Sequence, residues 1–358
     1  MRRTATLHLT QPIGRTLLLT GLILVVLLGT LETVCRIPAV TDSLPAPSIG
    51  SNYAALEIKL HVLDTLTREA PIDCIFVGSS VVHRAIDPVT IDTVYQSQTG
   101  RSIRCFNLGL GGMVPSAARL LVEYLFDTYH PGLVIYGFSP RAFTQAGRAE
   151  GLSGRDVAGL AWLQYQRGTF SVKGWLFNHS RAYSYYVALS NWIQPDFATL
   201  ITDRRAQESD WQANLGQRTL PSKNHIASVQ GGKRDSRYFP FFGNYHPVPA
   251  ELDSFKQLLA LSHPPDRQLV VLEIPVYHVL VNDYMGRDAY DRLMAQIEPA
   301  TQAAGVPFWH TLDSNPVAEE DWQDPLHLNV SGAQKFSSWL GAQIGQAVAQ
   351  GSLRDPAR

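Results

Sequence analysis

DCIFVGSS, residues 73–80, is a continuous apolar run that stops at a glycine and two serines. It lacks the apolar–polar alternation of a half-exposed strand, so both of its faces are expected to be covered, as in a central parallel strand. The same pattern recurs at residues 103–108, which end in glycines, and at 133–136. It returns in QLVVLEI at 268–274, with a short fifth run at 307–309. Helical text separates these runs at about 54–68, 116–129 and 290–304, and Ser331 is expected to cap a last helix reaching about Ala349. Strands alternating with helices predict an α/β fold with a mainly parallel sheet.

Residues 144–249 break this rhythm. The stretch is too long for an ordinary connection. It holds aromatic helical text, WLFNHSRAYSYYVALSNWI, and then a polar segment, QGGKRDSRYFPFFGNYHP. It reads as an insertion beside the carboxyl edge of the sheet, either a lid or substrate surface, or a small subdomain whose core is those aromatics. The α/β domain around it spans 56–350, and a tail occupies 351–358.

The first 36 residues differ from the rest. Arg2, Arg3 and Arg15 precede an uncharged stretch, TLLLTGLILVVLLGTL at 16–31, which Glu32 and Arg36 close. About 20 apolar residues are the usual requirement for a spanning helix. This stretch is shorter, and Arg15 can snorkel to lengthen it. No small-residue cleavage site follows promptly, so a retained signal anchor is expected. The arginines keep the N-terminus cytoplasmic and export the rest. Residues 37–55, rich in Pro, Ser and Ala, read as a linker leading away from the membrane.

With 45% hydrophobic residues and a net charge of −1, the chain has ample core material and no basic surface, which argues against nucleic-acid binding. Three cysteines do not make a disulfide scaffold. Cys74 and Cys105 fall in apolar strands and read as buried free thiols, with a bridge open to them in an oxidising compartment.

Ligands of open α/β sheets bind beyond the carboxyl ends of the strands, and four such places carry suggestive text. Ser80, at a strand-to-helix turn, can project its hydroxyl into the crevice; helix capping is the bland alternative. In NLGLGG, residues 107–112, the dinucleotide fingerprint fails at Val114. The Gly112 N–H could face an oxyanion, or the glycines could simply make a tight turn. GFSP, 137–140, comes directly after the third run. In DPLH, 324–327, Asp324 can hold the His327 imidazole so that its far nitrogen takes a proton from a serine. No other His, Cys or acidic cluster has metal-ligand spacing, and no cofactor is expected.

In that order, these blocks resemble those of the SGNH (GDSL-like) hydrolase superfamily, over about 73–143 and 268–340. The resemblance implies a three-layer, flavodoxin-like fold. It makes Ser80 the nucleophile, His327 the base and Asp324 its orienting partner, with Ser80 and Gly112 amides in the oxyanion hole. Two positions depart from the pattern. Ser79 stands where many members have Asp, and Ser139 stands where the family's Asn donates to the oxyanion. Loss of such a donor costs about 2.7–4 kcal/mol of transition-state stabilisation.

With its N-terminal anchor, the chain is also similar to the exported domains of teichoic-acid D-alanylation and alginate O-acetylation proteins. That implies an esterase or O-acyltransferase acting on an acylated glycan or envelope polymer beside a multi-pass membrane acyltransferase. The alternative is an inactive scaffold in such a complex. Tyr277 and His278, after the fourth run, could line the site or pack. Arg141 could meet an anionic substrate group or a helix carboxylate. His83 reads as a surface or capping residue rather than an alternative base.

Overall fold

The computed structural model describes residues 11–41, 44–190, 197–217, 226–230, 233, 235–311 and 316–357. The five apolar runs form one parallel sheet: β1 (Cys74–Gly78), β2 (Cys105–Gly109), β3 (Leu133–Phe138), β4 (Leu269–Glu273) and β5 (Phe308–Trp309). Every residue of β1 to β4 is buried, which is why their sequence shows no alternation. The spatial order is β2-β1-β3-β4-β5, the flavodoxin-like doubly wound order. The chain steps outward from β1 to β2 and then back past β1 to β3. Right-handed crossovers therefore put the connecting helices on opposite faces. Helix Pro88–Thr99 packs along Val330–Ala349, and helix Pro115–Tyr129 packs along Pro249–Leu259.

Two expectations are corrected at this level. Cys74 and Cys105 are not free thiols; they are disulfide-bonded. The register pairs them directly across β1 and β2, with their Cα atoms 4.5 Å apart, so the two sulfurs meet. Only Cys35 remains a free thiol. The cap of the last helix is Asn329 rather than Ser331. The Asn329 side chain accepts from the Gly332 N–H at 3.0 Å, while the Ser331 hydroxyl, already inside the helix, donates to Asp321.

The insertion is a series of short helices with two destinations. Its Phe177 and Tyr185 are buried and Trp175 and Tyr186 exposed, so the aromatic text is partly core; Trp192 and Ile193 lie outside the described residues. The end of helix Phe197–Ala213 covers the outer edge of β2. There Trp211 is buried, Leu215 accepts the Asn107 N–H at 2.8 Å, and a side chain at Gly216 would strike the Asn107 carbonyl. A later part, around Tyr238 and Phe241, reaches the carboxyl rim of the sheet beside Arg141. Gly231, Gly232 and Arg234 of the polar segment lie outside the described residues.

Among the described residues, one helix is long and apolar enough to cross a membrane: Gly14–Val34, 21 residues with a mean hydropathy of 2.3 and none of it buried. At 1.5 Å per residue it is about 31 Å long, close to the roughly 30 Å of a bilayer core. Glu32, near its end, accepts from the Ser180 hydroxyl and from the N–H groups of Arg181 and Ala182. The segment after it packs against the domain. Residues 45–48 are buried, and the buried Glu57 carboxylate holds the Ser48 hydroxyl and the Ile49 and Ser51 amides.

Candidate active site

Strands β1, β2 and β3 end within one residue of one another, because the register aligns Gly78 with Gly109 on one side and with Gly137, next to last in β3, on the other. Helix Ser80–Ala85 lies directly across these glycines. A Cβ at Gly109 would sit 2.3 Å from the His83 nitrogen, and one at Gly137 would sit 2.5 Å from Val82 Cγ2. The glycines therefore let the helix drop onto the rim, which leaves Ser80 in its first turn, half-buried and reachable. Asn107 fastens the far end of that helix. Its side-chain amide donates to the carbonyls of Val82, His83 and Ile86, and its oxygen accepts from the Gly109 N–H.

The histidine arrives on an antiparallel ribbon absent from the sequence reading, β6 (Trp322–Asp324) and β7 (His327–Leu328). Its two-residue turn is Pro325-Leu326, and Asp324 Oδ1 accepts the turn amides of Leu326 and His327 at 2.8 and 3.1 Å. The same carboxylate lies 2.8 and 2.9 Å from His327 Nδ1, and Nε2 lies 2.9 Å from Ser80 Oγ. Hydroxyl, imidazole and carboxylate, brought from residues 80 and 324–327, thus form one hydrogen-bonded line.

The surroundings fix the protonation of this line. Burial lowers the His327 pKa, with the charges of Arg84 and Arg141 acting in the same direction; together they outweigh the upward pull of Asp324. The imidazole is therefore neutral near pH 7 and can accept a proton. Burial alone would raise Asp324, but the hydrogen bond and charge of His327, the Leu326 amide and Arg84 hold it below the usual carboxylate range.

Arg84 was not singled out from the sequence. Its Nη1 lies 3.5 Å from Asp324 Oδ2 and 3.3 Å from Gln323 Oε1. It stands four residues after Ser80, one helical turn along the same face, and that spacing is the signal that could have found it.

Gly112 lies in the turn after β2, where Met113 donates to the Leu110 carbonyl and Leu110 donates to the Gly78 carbonyl of β1. Its φ of 69° and the Gly151 backbone against it both require glycine. No acceptor among the described residues takes the Gly112 N–H. Two residues from the region before β1 support this loop. The Tyr53 hydroxyl donates to the Gly111 carbonyl, and the buried Lys59 Nζ donates to the Asn107 and Gly109 carbonyls at 2.8 Å. Burial drives the Lys59 pKa far down.

Ser139 comes immediately after β3, almost fully buried, and its hydroxyl does not cap the turn that follows. Arg141 stacks over the Phe241 ring at 3.8 Å and lies 3.7 Å from Glu150, a helix carboxylate, close enough to Asp324 and His327 to act on both charges. Tyr277 is buried. Its N–H holds the Pro325 carbonyl at 2.9 Å and its ring packs edge-on to Trp322, so it supports the ribbon's turn. His278 is exposed beside the Tyr277 ring. His83 is neither a surface nor a capping residue. It is buried edge-on to Trp211, 5.3 Å between ring centroids, because the helix presses that face onto the sheet. Among the described residues no three His, Cys, Asp or Glu side chains converge as a metal site would.

No protein-family model matches the sequence, and no curated protein matches it. Among solved structures, similar chains include a candidate acylhydrolase from Bacteroides fragilis NCTC 9343, at 10% identity and a TM-score of 0.34, covering 78% of this chain and 87% of that one. The lipase/acylhydrolase from Enterococcus faecalis aligns at 10% identity and a TM-score of 0.35, covering 80% of this chain and 98% of that one. A gut microbial diltiazem-metabolizing enzyme aligns at 12% identity and a TM-score of 0.37, covering 75% of this chain and 46% of that one. Overlaps this loose carry no argument about the reaction.

Proposed function

We propose that the chain is a membrane-anchored, SGNH-type serine esterase or O-acyltransferase, with Ser80, His327 and Asp324 as its catalytic triad. The observation that carries this reading is the hydrogen-bonded line from Ser80 Oγ through His327 to Asp324, at 2.9 and 2.8 Å. In the proposed reaction, Nε2 takes the Ser80 proton while Oγ attacks an ester or thioester carbonyl. Asp324 stays ionised and stabilises the imidazolium. The amides of Ser80 and Gly112 hold the developing oxyanion. His327 then returns its proton to the leaving group, and the acyl-enzyme passes its acyl group to water or to a glycan hydroxyl.

The apolar helix supports a single-pass anchor with an extracytoplasmic catalytic domain. The Cys74–Cys105 disulfide is in keeping with an oxidising compartment. The substrate in this reading is an acylated glycan or envelope polymer, delivered beside a multi-pass membrane acyltransferase.

A fluorophosphonate probe applied to the full chain in detergent should label one serine, and Ser80→Ala should abolish the label. Equal labelling of that variant would remove Ser80 from the mechanism. Ser139 favours a second reading, a scaffold with little catalysis, because its buried hydroxyl is a short substitute for an amide donor. That reading expects Ser80→Ala to have no effect in cells.

A further inference from the structure

At the end of the apolar helix, on the side of the domain beside Cys35 and Pro38, lies a cleft of about 580 Å³. Four arginines from four separate segments converge on it. Arg36 sits just past the apolar helix, Arg68 comes from the last turn of helix Ala54–Glu69, Arg181 opens helix Arg181–Ser190, and Arg205 lies within Phe197–Ala213. One carboxylate lines the cleft with them, Glu208, and His61 Nε2 lies 3.3 Å from it. Arg36 is shared with Glu32, whereas neither Arg68 nor Arg181 has a carboxylate partner among the described residues. The charges of Arg68 and Arg181 are offset by no described carboxylate, and the planar forks of guanidinium groups suit phosphate oxygens.

We infer that this cleft binds the phosphate of an anionic phospholipid headgroup. The inference rests on the membrane-anchored reading above, and depth selects the source of the phosphate. The apolar span closes at Val34, and the next residues, Cys35, Arg36 and Pro38, are themselves part of the cleft wall, which puts it at headgroup level. The depth is fixed, because the Glu32 carboxylate at the helix end is bonded to Ser180, Arg181 and Ala182 of the domain. A basic cleft held at that level meets lipid phosphate at high local concentration.

The test uses the full chain in neutral detergent, titrated with short-chain phosphatidylglycerol, with short-chain phosphatidylcholine and with inorganic phosphate, and read by native mass spectrometry. Phosphatidylglycerol should bind preferentially, more weakly as salt rises. Each guanidinium near a bilayer surface contributes about fivefold to anionic-lipid binding, so Arg68→Gln/Arg205→Gln should weaken it about 30-fold. Both side chains are exposed, so the variant should fold, and Arg68→Lys/Arg205→Lys should keep most of the affinity.

Equal binding of the two lipids, or unchanged binding by the glutamine variant, would overturn the site. Displacement of the lipid by inorganic phosphate alone would make it a free-phosphate site and overturn the lipid assignment. Alkaline carbonate washing of membranes separates the two levels of failure. A chain released by the wash loses the anchored reading and the cleft with it; a chain retained without lipid preference loses only the cleft.

Discussion

In residues 73–143 the register sets Gly78 and Gly109, the last residues of β1 and β2, level with Gly137, one residue before the end of β3, and the residues beyond arrive at the same rim. Residues 144–249 have no such ruler. Their helices are placed by the surfaces they dock against, as Trp211 is by His83 and as Leu215 is by Asn107 at the edge of β2. The contrast separates two ways of building around a site. Backbone pairing sets where the residues after β1, β2 and β3 emerge, whereas docking closes the sheet edge through side-chain contacts. The rim should therefore respond to substitution mainly in chemistry, and the docked part mainly in stability.

The strongest test of that division is His327→Gln. It should cut kcat/KM for an activated ester by about 10⁴-fold or more, roughly 5 kcal/mol of transition-state stabilisation, with little change in unfolding midpoint. A loss under tenfold would mean the hydrogen-bonded line is not the reaction centre. Trp211→Ala tests the docked side. Removing a fully buried indole should cost about 3–5 kcal/mol in urea unfolding, while turnover per folded molecule stays within a few-fold. A large loss of turnover in the folded fraction would show that docking also sets the rim.

Removing the disulfide with Cys74→Ala/Cys105→Ala should cost about 3–4 kcal/mol, given the sequence separation of 31 between the cysteines. It lies at the start of β1 and β2, opposite the rim, so turnover should survive. The smallest effect is expected from Arg84→Gln. The guanidinium lowers the His327 pKa, so its loss lets that pKa rise. Because activity needs the neutral imidazole, the acid limb of kcat/KM against pH should move to higher pH. At pH 8 the loss should stay under about tenfold. An acid limb that stays put or moves down would show that Arg84 does not act on the histidine.

Strands β1 to β4 were legible because burial on both faces leaves one mark in sequence, a continuous apolar run. Ser80, Asp324 and His327 stood out because each lies where a run or a helix begins or ends. Features that depend on partners far along the chain left no such mark. The disulfide needs the β1–β2 register before Cys74 and Cys105 can be seen as neighbours. Lys59 is fully buried against two carbonyls, which no composition argument assigns to a lysine. The β6–β7 ribbon is too short for periodicity, and Asn329 and Ser331 are both capping residue types, so only the Asn329–Gly332 bond tells them apart. Docking of the insertion was least legible, since its aromatics are open to reading as core or as lid.

The packing of the segment between the apolar helix and the domain bears on how far the Ser80 hydroxyl can travel. A free tether over residues 37–55 would let the domain wander by roughly 25 Å. Here residues 45–48 are buried, Ser48 donates its N–H to the Ser184 carbonyl, and Glu57 clasps the Ser48 hydroxyl and the amides of Ile49 and Ser51. For a chain anchored through its first helix, Ser80 then has one working distance from the bilayer, and whatever reaches that hydroxyl must do so at that height.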